Sequence, residues 1–205
     1  MKKKFNLRTY LVTNRDNKTD EEFFDIVEQA ILGNVSIVQL REKTANSKEF
    51  YEVAIQLKKL CDRYDVPLII NDRVDIAIAV DCDGVHVGDE DIPSDVVRDV
   101  IGDDKIVGIS ASTVDDAIAA ENAGADYIGT GAVFPTKSKD KEVISIERLK
   151  EVVKSVNIPV VAIGGINEDN VSSLKNTGVK GVAVISAIMN SDDPKKTAEY
   201  LGTNL

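Results

Sequence analysis

Three groups of residues in this chain have the chemistry to handle phosphorylated ligands, and each follows a short apolar run. The first is cationic. Arg41 and Lys43 alternate just beyond the run Ser36 to Leu40, and Lys139 lies in the polar stretch Pro135-Thr136-Lys137-Ser138-Lys139-Asp140. A guanidinium that can bind in bidentate fashion, joined by ammonium groups, suits a pyrophosphate. The bland reading of Arg41-Glu42-Lys43 is a solvated charged turn. The second group is acidic. Asp72 and Asp91 follow two successive runs, so two hard oxygen ligands, completed by phosphate oxygens and water, could hold Mg²⁺. Alternatively, Asp72 caps a helix and Asp89 to Asp91 form an exposed acidic loop. The third is the pair Gly164-Gly165 followed, one run later, by Ser186. Glycine lets backbone N–H groups approach an anion closely, although the same pair also suits a tight strand-to-helix turn.

Other chemistries lack their residues. The one histidine, His86, sits between Val85 and Val87 and reads as a strand residue of the interior. No Ser-His-Asp set can be assembled around it. No lysine lies inside an apolar run before its end, which leaves a Schiff base without a strong candidate. The pattern favours a reaction driven by charge neutralisation and positioning rather than by a base or a nucleophile.

These groups must be brought together by the elements between them. Eight apolar runs recur: Thr9 to Thr13, Ser36 to Leu40, Pro67 to Ile70, Gly84 to Val87, Ile106 to Ile109, Tyr127 to Thr130, Pro159 to Ile163 and Gly181 to Ile185. Amphipathic stretches separate them. Asp20 to Leu32 carries apolar residues near helical spacing, and Ser47 is placed to cap a helix to Tyr64. Thr113 can cap a helix to Asn122, and Asn167 one to Thr177, with Gly124 and Gly178 as stops. Eight strand–helix units can form an open doubly wound sheet or a closed barrel. The first strand exits through Leu11-Val12-Thr13-Asn14-Arg15, without the glycines of a nucleotide-binding turn. We therefore expect an α/β fold, a single (β/α)8 TIM barrel with a closed parallel eight-stranded sheet. In such a barrel Gln39, Arg41, Lys43, Asn71, Asp72, Asp91, Ser110, the 135–140 loop, Gly165 and Ser186 all face one mouth.

Composition agrees. The 205 residues fit one domain over 1–205, with lean loops compared with the ~250 residues typical of the fold. Apolar residues make up 43% and aromatics only 5%, so the core must be aliphatic, as buried parallel strands require. The net charge of -10, with no basic block beyond Lys2 to Lys4, argues against a nucleic-acid partner. No apolar stretch approaches the ~20 residues of a membrane span. Cys61 and Cys82 have no metal-ligand spacing, and the basic start leads into no secretory segment, so a cytoplasmic location is expected.

Taken in order, Gln39-Leu40-Arg41-Glu42-Lys43, Asn71-Asp72-Arg73, Gly84-Val85-His86-Val87-Gly88 with Asp91, Pro135-Thr136, Gly164-Gly165-Ile166 and Val184-Ile185-Ser186-Ala187-Ile188 resemble the thiamine-phosphate synthase family. The resemblance runs from about Tyr10 to Met189. It implies a transferase that joins hydroxymethylpyrimidine diphosphate to hydroxyethylthiazole phosphate and releases pyrophosphate through a dissociative, carbocation-like step. It implies that Gln39, Leu40, Arg41, Glu42, Lys43, Asn71, Ser110 and Lys139 hold the pyrimidine diphosphate, with Arg41, Lys43 and Lys139 catalytic. Thr136, Lys137, Ser138, Gly165, Ile185 and Ser186 would hold the thiazole phosphate, and Asp72 and Asp91 would bind Mg²⁺. The partners are then two phosphorylated heterocyclic small molecules, and a homo-oligomer is left open. Asp89 stands where the family often has Gln, and Ser138 where Thr is frequent.

Two rival readings share the barrel. A thiazole tautomerase-like isomerase would rely on proton transfer, for which only His86 offers an imidazole. The joint presence of Arg41, Lys43, Asp72, Asp91 and Lys139 speaks against it. A non-catalytic barrel that senses a phosphorylated ligand would bind without releasing pyrophosphate and would not need paired carboxylates.

Overall fold

The computed structural model describes residues 2–88, 90–136 and 142–205. Eight strands, β1 (Thr9–Val12), β2 (Ile37–Leu40), β3 (Leu68–Asn71), β4 (Gly84–Val87), β5 (Ile106–Ser110), β6 (Tyr127–Thr130), β7 (Val160–Ile163) and β8 (Gly181–Val184), pair in parallel in chain order. β8 returns to β1, which closes the barrel. All eight coincide with the apolar runs to within one residue at either end.

Strand alternation divides the apolar side chains into two cores. Inward residues Tyr10, Val12, Ile37, Ile69, Ile106, Tyr127, Val161 and Ala183 fill the barrel, and Leu7 and Phe5 pack against them from the N-terminal end. Outward residues such as Leu11, Val38, Leu40, Ile70, Val107 and Ile128 pack against the helices. Both faces of every strand are buried, which accounts for the unbroken Val, Ile and Leu runs.

The helices are α1 (Asp20–Leu32), α2 (Ser47–Arg63), α3 (Val74–Ala79), α4 (Ser94–Ile101), α5 (Val114–Asn122), α6 (Ile146–Ser155), α7 (Ser186–Met189) and α8 (Pro194–Asn204). α1 and α5 have the expected bounds, and Thr113 caps α5 by accepting from Asp116 N–H. Two expectations are corrected. The cap of α2 is Asn46, not Ser47. Its side chain accepts from Lys48 and Glu49 N–H while the Glu49 carboxylate reaches back to the Asn46 N–H, a reciprocal arrangement that Ser47 cannot form one residue later. The stretch 167–177 contains only a 3₁₀ turn, Val171–Leu174. There Asn170, rather than Asn167, ties the segment down. Its Oδ1 accepts from Asn167 N–H at 2.9 Å and its Nδ2 donates to the Gly165 carbonyl at 2.9 Å. This anchors the chain to the preceding turn.

Gly124 and Gly178 do mark the stops before β6 and β8, at φ +83° and +92°, a region glycine enters without strain. Among the described residues no helix is long and apolar enough to cross a membrane.

Both cysteines are free and buried in the outer core. Burial pushes the Cys61 thiol up to about 12 and the Cys82 thiol up to about 11. The folded state therefore holds both thiol protons more tightly than the unfolded chain. This contribution to stability is complete below the ordinary thiol range and is lost as pH rises toward 11. We expect a thiol reagent at pH 8 to label neither cysteine in the native protein and both after denaturation, monitored by absorbance of the released chromophore.

Candidate active site

The mouth at the C-terminal ends of the strands opens into a cavity. Its floor and walls carry Tyr10, Gln39, Asn71, His86 and Ser110, and its rim carries Arg41, Thr136, Gly164, Gly165, Ile185 and Ser186. Gln39, Asn71, His86 and Ser110 share the inward phase of four successive strands, because the register pairs β3 Asn71 with β4 His86 and offsets the others by even steps. Gln39 is 4% exposed, so its amide is committed to the interior.

At the β2 exit, Arg41 lines both the cavity and an adjoining groove that also contains Glu42 and Lys43. Its backbone N–H is held by Thr13 Oγ1 at 3.2 Å. Lys43 extends across to Asp72, with Nζ 2.9 Å from Oδ2. Asp72 sits at φ +63°, immediately after β3, and its N–H donates to the His86 carbonyl at 2.8 Å. It caps nothing: α3 begins after Arg73 and has no side-chain cap. Asp91 is turned inward rather than splayed into solvent, and its Oδ2 accepts from Gly88 N–H at 2.7 Å.

The two carboxyls lie within hydrogen-bonding reach of each other. Burial raises Asp91, the Gly88 N–H opposes that, and the neighbouring Asp72 adds to the rise. Asp72 is held low: burial works against its charge but is outweighed by Lys43 and by the hydrogen bond with Asp91. The pair thus gathers the Lys43 ammonium where carboxylates that follow two adjacent strands meet. That is a fitting donor set for a small divalent cation, since Mg²⁺ is usually held by one or two carboxylates with phosphate oxygens and water. Among the described residues no cluster of three or more His, Cys, Asp or Glu is placed to hold a metal.

On the opposite rim Gly164 and Gly165 adopt φ +97° and +67°. A Cβ on Gly165 would come within 2.5 Å of the Pro135 carbonyl oxygen, and one on Gly164 within 2.5 Å of Ala132 Cα. The β7 exit and the β6 exit therefore pack backbone to backbone, and Thr136 is drawn to the same edge as Ile185 and Ser186. The mouth has a side at β2–β4 with Arg41, Lys43 and the two carboxyls, and a second, glycine-lined side at β6–β8.

This division suits two phosphorylated ligands, and known proteins share the fold. Residues 9–188 match the family model described as thiamine monophosphate synthase. The chain belongs to this family. It is 55% identical to the thiamine-phosphate synthase of Clostridium tetani over 193 residues, covering 94% of this chain and 92% of that one. It is 54% identical to the thiamine-phosphate synthase of Ruminiclostridium cellulolyticum over 202 residues, covering 98% and 96%. The thiamine phosphate pyrophosphorylase structure from Pyrococcus furiosus superposes with a TM-score of 0.88 at 44% identity, covering 96% of this chain and 94% of that chain. As a member of this synthase family, the chain is a transferase of thiamine biosynthesis.

Not every residue assigned from the family resemblance reaches the cavity with its side chain. Leu40 points outward into the core between barrel and helices, so only its backbone is available at the mouth. The Glu42 carboxylate is 7% exposed and lies 3.7 Å from Arg15 Nε, in the groove rather than the cavity. Lys137, Ser138 and Lys139, and likewise Asp89, lie outside the described residues. Conversely, Tyr10 and Ala132 line the cavity without having been assigned a binding role from the sequence. Tyr127 lies directly behind Tyr10, their hydroxyls 2.7 Å apart. One signal was available for the tyrosines: both are large residues on the inward phase of short strands.

Proposed function

We propose that this chain condenses hydroxymethylpyrimidine diphosphate with hydroxyethylthiazole phosphate in the cytosol, giving thiamine phosphate and pyrophosphate. This reading is supported by Arg41, which lines both a cavity with a polar floor and the adjoining groove that contains Lys43, and by Lys43 in turn being paired with Asp72 next to Asp91.

The bond that breaks joins the pyrimidine CH₂ to the diphosphate oxygen, and its electron pair leaves with the diphosphate. The aminopyrimidine ring donates into the cationic carbon. The thiazole nitrogen then supplies its lone pair to form the C–N bond, and no base is required. Asp72 and Asp91 would hold Mg²⁺, which when bound supplies Lewis-acid neutralisation of the leaving group. Arg41 binds diphosphate oxygens through its planar fork. Lys43, whose side chain is 54% exposed, would turn from Asp72 to the diphosphate if the carboxylates held a divalent cation. Lys139 adds a third cation in this reading. Gln39, Asn71 and Ser110 hold the heterocycle in line. Gly165, Ile185 and Ser186 with Thr136 to Ser138 receive the thiazole phosphate, largely through backbone N–H groups.

Two outcomes follow for solution work. Mixed with both phosphorylated heterocycles and Mg²⁺, the protein releases pyrophosphate in equal amount to thiamine phosphate. Omitting either heterocycle abolishes thiamine phosphate. Binding of both without release would establish the sensor reading instead. Gly165→Ala, which places a Cβ against the Pro135 carbonyl at a left-handed φ, should cost ~1–3 kcal/mol of stability. It should also raise KM for the thiazole phosphate roughly tenfold. Steady-state kinetics should find KM for the pyrimidine diphosphate little changed.

A further inference from the structure

The barrel interior contains a hydrogen-bonded chain that crosses it from β2 to β5. Gln39 Nε2 donates to Tyr10 Oη at 2.6 Å, Tyr10 Oη meets Tyr127 Oη at 2.7 Å, Tyr127 Oη meets His86 Nδ1 at 3.0 Å, and His86 Nε2 meets Ser110 Oγ at 3.1 Å. Both tyrosines are fully enclosed, at 1% and 0% exposure. The barrel makes space for this chain. A Cβ at Gly108 would collide with the Tyr127 hydroxyl end and with His86 Nδ1, and one at Gly129 would press on His86 Cε1.

With a neutral imidazole, these four contacts have only two self-consistent senses, because each phenol has one hydrogen and the imidazole one N–H. With the Gln39 amide nitrogen on Tyr10, the Tyr10 hydrogen must go to Tyr127. The Tyr127 hydrogen then goes to His86 Nδ1, and the imidazole hydrogen sits on Nε2 and goes to Ser110. Two groups are left over at the cavity ends of the chain: the Gln39 carbonyl, an acceptor, and the Ser110 hydroxyl hydrogen, a donor. In the opposite sense these roles reverse.

We infer that Tyr10, Tyr127 and His86 are positioning residues that set the polarity of the heterocycle pocket, so that it selects an aminopyrimidine over its oxo counterpart. This rests on the pyrimidine reading of the cavity given above. An amino group donates to the Gln39 carbonyl and a ring nitrogen accepts from Ser110. An oxo group would set oxygen against oxygen at Gln39. Tyr127 does not line the cavity, so its effect must travel through its neighbours. Without the Tyr127 hydroxyl, the buried Tyr10 hydrogen has one acceptor left, the Gln39 carbonyl, and the Gln39 amide turns over to meet it.

The test compares competitive inhibition constants of the amino- and oxo-pyrimidinylmethyl monophosphates, with wild-type protein and Tyr127→Phe assayed by pyrophosphate release. The phenyl ring keeps its contacts with Phe5, Tyr10 and His86, whose centroids are 5.5–6.1 Å from the Tyr127 ring. Wild type should prefer the amino compound, and Tyr127→Phe should reduce that preference about tenfold or more, since a site with reversed hydrogen-bonding groups loses its discrimination. A merely structural role would weaken both compounds alike. An oxo-to-amino ratio within twofold of wild type, in a variant with the wild-type melting curve, overturns the inference. If Tyr127→Phe does not fold, Tyr10→Phe, which removes the anchor of Gln39 directly, must lower the ratio in the same way. Failure of wild type to release pyrophosphate from the two substrates would instead overturn the synthase reading, which separates the two failures.

Discussion

Asp72→Asn is expected to lower kcat by about 10³-fold while leaving the fold intact, because ~4 kcal/mol of charge stabilisation around a leaving diphosphate depends on this carboxylate. Asparagine is the informative replacement. Position 72 lies at φ +63°, where Asn is tolerated and Ala is strained, so Asp72→Ala would confuse backbone strain with lost chemistry. The ion pair removed among the described residues, with Lys43, is half-exposed and contributes no more than ~1 kcal/mol. A melting temperature within a few degrees of wild type, together with the loss in kcat, is the expected pair of results. The residual activity should respond weakly to added Mg²⁺. An active variant with unaltered Mg²⁺ dependence would remove Asp72 from the mechanism.

Arg41→Ala should reduce kcat/KM for the pyrimidine diphosphate by ~10²–10³-fold, the range seen when one preorganised charged donor is removed from a developing anion. The thiazole phosphate should keep its KM, since Arg41 stands on the β2 side of the mouth and Gly165, Ile185 and Ser186 on the other. Arg41→Lys should recover little, because an ammonium cannot reproduce the bidentate fork. Initial-rate measurements with each substrate varied in turn distinguish these cases. Equal losses for both substrates would show that the two sides of the mouth are not separate binding regions.

The barrel was legible from its eight apolar runs because both faces of a parallel strand are buried, and no polar alternation interrupts the pattern. Strand-end positions follow from the same runs, which is why Arg41, Gly165 and Ser186 were legible at the cavity they line. What the sequence hid were features decided by competition between neighbours. Asn46 and Ser47 are both good caps, and the choice fell to whichever has Glu three residues on. The 167–177 stretch looked helical until Asn170 bound the Gly165 carbonyl. Leu40 stood among binding residues by resemblance, yet strand alternation turns its side chain outward. The chain from Gln39 to Ser110 was invisible for another reason: its members are up to 117 residues apart, as Tyr10 and Tyr127 are. Its one trace in sequence is that β4 His86 lies opposite β5 Gly108, a large residue facing a glycine that makes way for it.

The central claim is that Asp72, Asp91, Arg41 and Lys43 form one diphosphate site around a divalent cation. Crystals grown with Mn²⁺ and pyrophosphate, with data collected at the manganese absorption edge, test it most directly. One anomalous peak is expected within about 2.2 Å of a carboxylate oxygen from each aspartate, with pyrophosphate between it and the Arg41 guanidinium and with Lys43 moved off Asp72. A manganese ion bound elsewhere, with Lys43 still paired to Asp72 and pyrophosphate outside the mouth, would contradict it.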